Sequence, residues 1–113
     1  VMTTEQYLDA HQAEVFAKIA EGVHPDDAIM TTGTGIAMLG FAPDWIEYDP
    51  INNAEQAFEL AVFLFKMSDR LWEIQDTADE GMDLESRLIA AMQSDNPPRG
   101  LVLVAMQMLG IGE

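Results

Sequence analysis

Residues 53–77 read NAEQAFELAVFLFKMSDRLWEIQDT, and the fold turns on how this stretch is arranged. Ala57, Leu60, Phe63, Met67, Leu71 and Ile74 recur with a nearly heptad rhythm, while Phe58, Val62, Phe65 and Trp72 add a second apolar face. That periodicity belongs to an α-helix. Asn52 followed three places on by Glu55 has the pattern of a capping box at its start. A helix apolar over more than half its circumference needs neighbours on several sides, so residues 53–77 are expected to form the central helix of a bundle.

Downstream, Gly81 and Asp83 separate a second stretch, roughly 83–93, whose Leu84, Leu88, Ala91 and Met92 are expected to face inward. Ser94-Asp95-Asn96-Pro97-Pro98 breaks the chain and opens another helix. Leu101 to Leu109 is almost wholly apolar and ends at Gly110. Its Leu-Val-Leu-Val would also suit a buried strand, but a strand without a partner is unstable, so a helix is expected.

Upstream, Thr3 and Gln6 form a capping-box pattern. Leu8, His11, Val15 and Ile19, with Tyr7 and Phe16 alongside, make one helical face that Gly22 should end. His24-Pro25-Asp26-Asp27 reads as a new helix start. The following Thr31-Thr32-Gly33-Thr34-Gly35 leaves two options, a loop or a helix. A helix through Leu39 is the expectation, its small face of Ile29, Gly33, Ile36, Ala37 and Gly40 packed closely on a neighbour. Between Gly40 and Asn53, with Pro43 and Pro50, the aromatics Phe41, Trp45 and Tyr48 should cap the core. The expected fold is all-α: residues 1–113 as one acidic domain, a compact bundle of about five helices.

Length and composition agree. A chain of 113 residues, 49% hydrophobic, is one domain with enough apolar surface for a core. Val1 ahead of Met2 reads as an added residue, which would make 2–113 a complete small product. With no cysteine there is no disulfide, thiolate nucleophile or Cys-ligated metal. No signal peptide is visible at Met2-Thr3-Thr4, and Leu60–Phe65 and Leu101–Met106 are far shorter than the ~20 residues of a membrane span, so a cytoplasmic protein is expected.

The net charge is −15: twenty acids stand against Lys18, Lys66, Arg70, Arg87 and Arg99. Direct binding to nucleic-acid phosphates or to anionic membranes is disfavoured.

Little points to catalysis. The serines are Ser68, Ser86 and Ser94, without a nucleophile elbow. His11 lies on the apolar side of its helix, where a boundary histidine is expected, and His24 is explained by capping. Thr31–Gly35 lacks the Lys-Ser/Thr of a phosphate loop. Glu21-Gly22-Val23-His24 is the one Glu-x-x-His, and a di-iron bundle needs two. Glu73-Ile74-Gln75-Asp76 resembles the second carboxylate pair of helical nucleoside triphosphate pyrophosphohydrolases, with Asp44-Trp45-Ile46-Glu47 as its upstream candidate. That resemblance implies Mg²⁺-dependent hydrolysis through Glu73 and Asp76. It departs from the family at Asp44, where Glu is required, and at the flanking Pro43 and Pro50. No metal or cofactor is assigned.

One charge pattern is sharper. Asp69, Glu73, Asp76, Glu80 and Asp83 are spaced four, three, four and three residues apart, flanked by Asp79 and Glu85. On one continuous helix they form a stripe with carboxylates about 5 Å apart along the axis, against about 3.4 Å between DNA phosphates. The expected function is therefore a non-enzymatic interaction protein whose acidic face, Asp69, Glu73, Asp76, Asp79, Glu80 and Asp83, engages a basic partner surface. A nucleic-acid mimic or inhibitor of a DNA- or RNA-handling complex fits that description. The alternatives are the Mg²⁺ hydrolase and a structural or oligomerisation subunit. Eight methionines and two almost fully apolar helices also point to a homodimer.

Overall fold

A computed structural model of the protein describes residues 2–26, 29–31, 36–40 and 43–112. The chain is mostly helical, with five α-helices among the described residues: α1 (Thr4–Ala10), α2 (Gln12–Val23), α3 (Ala54–Glu73), α4 (Ala78–Met92) and α5 (Pro97–Leu109). Three short strands, β1 (Ile29–Thr31), β2 (Ala37–Leu39) and β3 (Ile46–Glu47), form an antiparallel sheet in that order. No helix among the described residues is long and apolar enough to cross a membrane.

The termini of the helices follow local chemistry. Thr3 closes the expected capping box: its hydroxyl accepts from the Gln6 N–H at 3.1 Å, and its own N–H donates to Gln6 Oε1 at 2.9 Å. The single helix expected to follow is divided at His11, whose ψ of 38° lies outside helical geometry. The division lets α1 bury Leu8 while α2 turns Val15, Phe16, Ile19 and Ala20 inward. At α3 the cap is Asn53 rather than Asn52, accepting from the Gln56 N–H at 3.1 Å; Asn52 donates instead to the Asp49 carboxylate. Asn96 caps α5, two prolines occupy its first turn, and Gly110 ends it at φ +68°. Only glycine takes that left-handed conformation without strain.

The helix expected over Pro25–Leu39 is replaced by the β1–β2 hairpin, with Ile29 opposite Leu39 and Thr31 opposite Ala37. Two glycines destabilise a helix interior by about 1 kcal/mol each relative to alanine, while Ile and Thr suit extended backbone. Asp27, Thr32–Gly35 and Phe41 lie outside the described residues. Of the expected aromatic cap, Tyr48 is buried and Trp45 is 38% exposed.

The core forms where α2, α3, α4 and α5 meet. Ala57, Leu60, Leu64 and Ser68 line the inner face of α3, and Leu84, Leu88 and Ala91 that of α4. α3 and α4 run antiparallel: Gly81 abuts Ser68 and Trp72 near the elbow, while Met92 shares a groove with Ala57 and Ala61. Gly81, expected to separate the helices, is instead buried inside α4. A Cβ there would lie 2.9 Å from the Ser68 carbonyl oxygen and 2.9 Å from the Trp72 nitrogen. Both are backbone atoms, so the helices themselves would have to part. Gly81→Ala is expected to lower the unfolding free energy by about 2 kcal/mol in urea titration, overpacking outweighing the gain in helix propensity. A loss under roughly 0.5 kcal/mol would mean that α3 and α4 separate freely at this point.

Candidate functional site

The acidic residues singled out in the sequence surround the elbow between α3 and α4. The continuous helix expected to carry them does not exist. α3 ends at Glu73, Ile74 is extended (φ −106°, ψ 122°), and Gln75–Thr77 forms a single 3₁₀ turn before α4 begins. Thr77 fastens this turn by donating its hydroxyl to the Leu71 carbonyl at 2.7 Å. Ile74, expected in the core, is 56% exposed. The reason is geometric: the 3.6-residue period runs on past Glu73, but α4 can reach the core only if the chain reverses, and the short segment before it supplies the reversal.

Asp69 and Glu73 therefore stand on the last turns of α3, Asp76 on the 3₁₀ turn, and Asp79, Glu80 and Asp83 on the first turns of α4; all six are exposed. The regular 5 Å ladder is lost, and the carboxylates wrap around a bend. Among the described residues, Asp83 is the one of the six with an ion pair, to Arg87 Nε at 3.0 Å. Asp79 and Glu80 lie in the first turn of α4, where the helix dipole favours negative charge. Glu85, beside the group, accepts a hydrogen bond from Trp72 Nε1 at 3.1 Å.

Neither carboxylate pair of the hydrolase resemblance sits on one continuous helix. Asp44 precedes β3 and Glu47 lies within it, while Glu73 and Asp76 are separated by the extended Ile74. Among the described residues, no three His, Asp or Glu side chains group as a metal-ligand set.

A second cluster, not anticipated from sequence, joins α2, α3 and the segment after β3. His24, placed at a helix start by the sequence, is the C-cap of α2, its N–H bonded to the Ala20 carbonyl. Its Nε2 lies 2.9 Å from Glu59 Oε2 on α3. Tyr48 packs edge-on against both His24 and Phe16, with ring centroids 6.0 and 6.3 Å away. Only 1% of Tyr48 is exposed, and its hydroxyl has no hydrogen-bond partner among the described residues. Burial first, and the Glu59 charge second, push its pKa well above the usual 10.0. His11, by contrast, is exposed, its ring tilted against that of Tyr7 at 4.6 Å and 3.9 Å from Glu14, not on an apolar face. The signal for the cluster in the sequence is weak, because Tyr48, His24 and Glu59 are far apart along the chain.

Comparison with protein-family models, with curated proteins and with solved structures finds no match to this chain.

Tyr48 gives this cluster a measurable signature. The unfolded chain releases the phenol proton near pH 10.0, whereas the folded chain retains it to higher pH. The resulting stability is present below pH 10.0 and is lost as pH rises through the higher folded value. Tyr48→Phe is expected to flatten that alkaline decline in urea midpoints and to raise stability at neutral pH by about 1 kcal/mol, since it removes an unsatisfied hydroxyl. A decline of unchanged steepness in the variant would count against a buried, protonated Tyr48.

Proposed function

We propose that this chain is an interaction protein whose acidic elbow, from Asp69 to Asp83, docks on a basic surface of another protein. A surface built to hold nucleic acid is the suggested target, with the elbow occupying the place of the phosphates. One observation carries the proposal: Asp69, Glu73, Asp76, Asp79 and Glu80 are all exposed and make no ion pair among the described residues, in a protein of net charge −15. Supporting it, the elbow is held by the Gly81 contact and the Thr77 hydroxyl, so the carboxylates need little ordering when they bind. Electrostatic complementarity of this kind accelerates association and gives it a steep salt dependence.

A panel of purified basic DNA- and RNA-binding proteins, each loaded with a fluorescent duplex, provides the test. The chain should displace duplex from at least one of them at low salt. The effect should vanish near 0.5 M salt, where the Debye length falls to about 4 Å. Glu73→Lys with Asp76→Lys should weaken displacement about tenfold, and the same reversal at Glu5 and Glu21 should change it less than about twofold. Equal competition by the elbow variant and the wild type would remove the proposal.

A further inference from the structure

The outer face of α3 carries a pattern that neither the core nor the elbow uses. At 100° per residue, Ala57, Leu60, Leu64, Ser68 and Leu71 centre on the buried side of the helix. On the opposite side Glu55, Glu59, Val62 and Lys66 fall within about 40° of one line, with Phe58 about 60° to one side and Arg70 about 60° to the other. Phe58 is 70% exposed, the most exposed of the large apolar side chains described. It stands between two grooves. One, of about 420 Å³, runs past Val23, Val62, Phe63, Lys66 and Arg70; the other, of about 400 Å³, runs past Ala61, Met92, Pro97 and Leu101. Met92 and Ile89, one turn apart on α4, are 51% and 45% exposed.

The cations of this face are confined to its second half. Negative Glu55 and Glu59 occupy its first half; Lys66 and Arg70 stand in its second, with Asp69 on the Phe58 side and Glu73 on the line of Glu55 at the helix end. Lys18, Arg87 and Arg99 are each held by a carboxylate, at 3.3, 3.0 and 3.0 Å. Lys66 and Arg70 have no ion pair among the described residues, although acids are abundant.

We infer that α3 pairs antiparallel with α3 of a second copy of this chain, about a two-fold axis beside Val62. The axis is overdetermined. Within about 1.5 Å along the helix it sets Glu59 opposite the partner subunit's Lys66, Glu55 opposite the partner subunit's Arg70, and Phe58 opposite the partner subunit's Phe65. A two-fold perpendicular to the helices keeps each side chain on its own side of the contact. The phenylalanines therefore meet along one edge, next to the groove of Met92, and the ion pairs along the other. Asp69 is the one discordant group: it lies on the phenylalanine edge opposite the partner subunit's Glu55. Except for Asp69, the acidic elbows end up at opposite ends of the paired helices, clear of the contact, so this inference does not rest on the proposed function.

Sedimentation equilibrium on the full chain, up to roughly 100 μM, should give a dimer, since interfaces of modest quality associate in the micromolar range. Phe58→Glu should weaken dimerisation roughly thirtyfold, as loss of a central aromatic anchor does. Glu55→Arg and Arg70→Glu, both at exposed positions, should each weaken it about tenfold while leaving the helical circular dichroism unchanged. Mixed in equal amounts, these two variants should form a heterodimer near wild-type affinity, because each reversed charge meets its complement. Asp69→Asn should tighten the dimer about threefold. A wild-type chain that stays monomeric throughout, a dimer indifferent to Phe58→Glu, or charge-reversed variants that fail to pair when mixed would each overturn the inference.

Discussion

The close antiparallel contact of α3 with α4 is the constraint on which the other features depend. Leu60 and Leu64 from one helix and Leu84 and Leu88 from the other are fully or almost fully buried. They reach one another only because Gly81 lets the α4 backbone approach that of Ser68 and Trp72. Ser68 reinforces the contact from within, its hydroxyl donating to the Gly81 carbonyl at 2.9 Å. Once the helices are clamped, the residues between them have to reverse direction in very few steps. That produces the 3₁₀ turn and forces the acidic residues around a bend. It also fixes which side of α3 is left uncovered.

Electrostatics shapes the surface of this protein more than its stability. Exposed pairs such as Lys18 with Glu14 or Arg87 with Asp83 contribute about 0–1 kcal/mol each. The pair of Arg99 with Asp9 joins chain segments far apart in sequence, holding the start of α5 to α1. Stability comes instead from the apolar residues of α2 to α5 and from well-made caps. Gln56 is an instructive buried polar side chain: its Oε1 accepts from the Asp49 N–H and its Nε2 donates to the Glu47 carbonyl, so α3 is anchored to the strand segment before it. Tyr48 sits beside that anchor with no partner for its hydroxyl among the described residues, and the edge-on packing of its ring holds it in place.

Much of the helical framework was legible because it is written locally. The Thr3–Gln6 box, the prolines at the start of α5, Gly110 at its end and the periodicity of α3 all carry their meaning within a few residues. What was not legible depended on contacts between distant segments. Gly81 reads as a helix breaker until α3 is known to lie against it. The extended Ile74 continues the apolar rhythm of α3 perfectly well, and only the return of α4 shows why the helix must stop before it. Of the Thr/Gly-rich segment, Thr32–Gly35 lie outside the described residues, and on either side of them β1 and β2 pair where a helix was expected. The acidic residues are exposed, but their expected regular spacing assumed a straight axis that the fold does not have. The same difficulty hid the His24–Glu59–Tyr48 cluster, whose members come together only in the folded chain.

Two kinds of electrostatic organisation thus coexist in one small chain, and contacts made through them would respond to salt in opposite ways. At the elbow, like charges are concentrated, so attraction to a cationic surface is strongest when the solution is dilute in ions. Along the outer face of α3, Glu55 and Glu59 precede an apolar centre and both cations follow it. Two copies of a protein of charge −15 repel each other at long range, and added salt suppresses that repulsion before it weakens ion pairs in contact. An acidic protein that self-associates therefore needs a local patch where the sign changes and an apolar group beside it to hold the contact together. α3 carries such a patch: Lys66 and Arg70 line one groove with Phe58, and Arg70 also stands between Asp69 and Glu73 in the sequence.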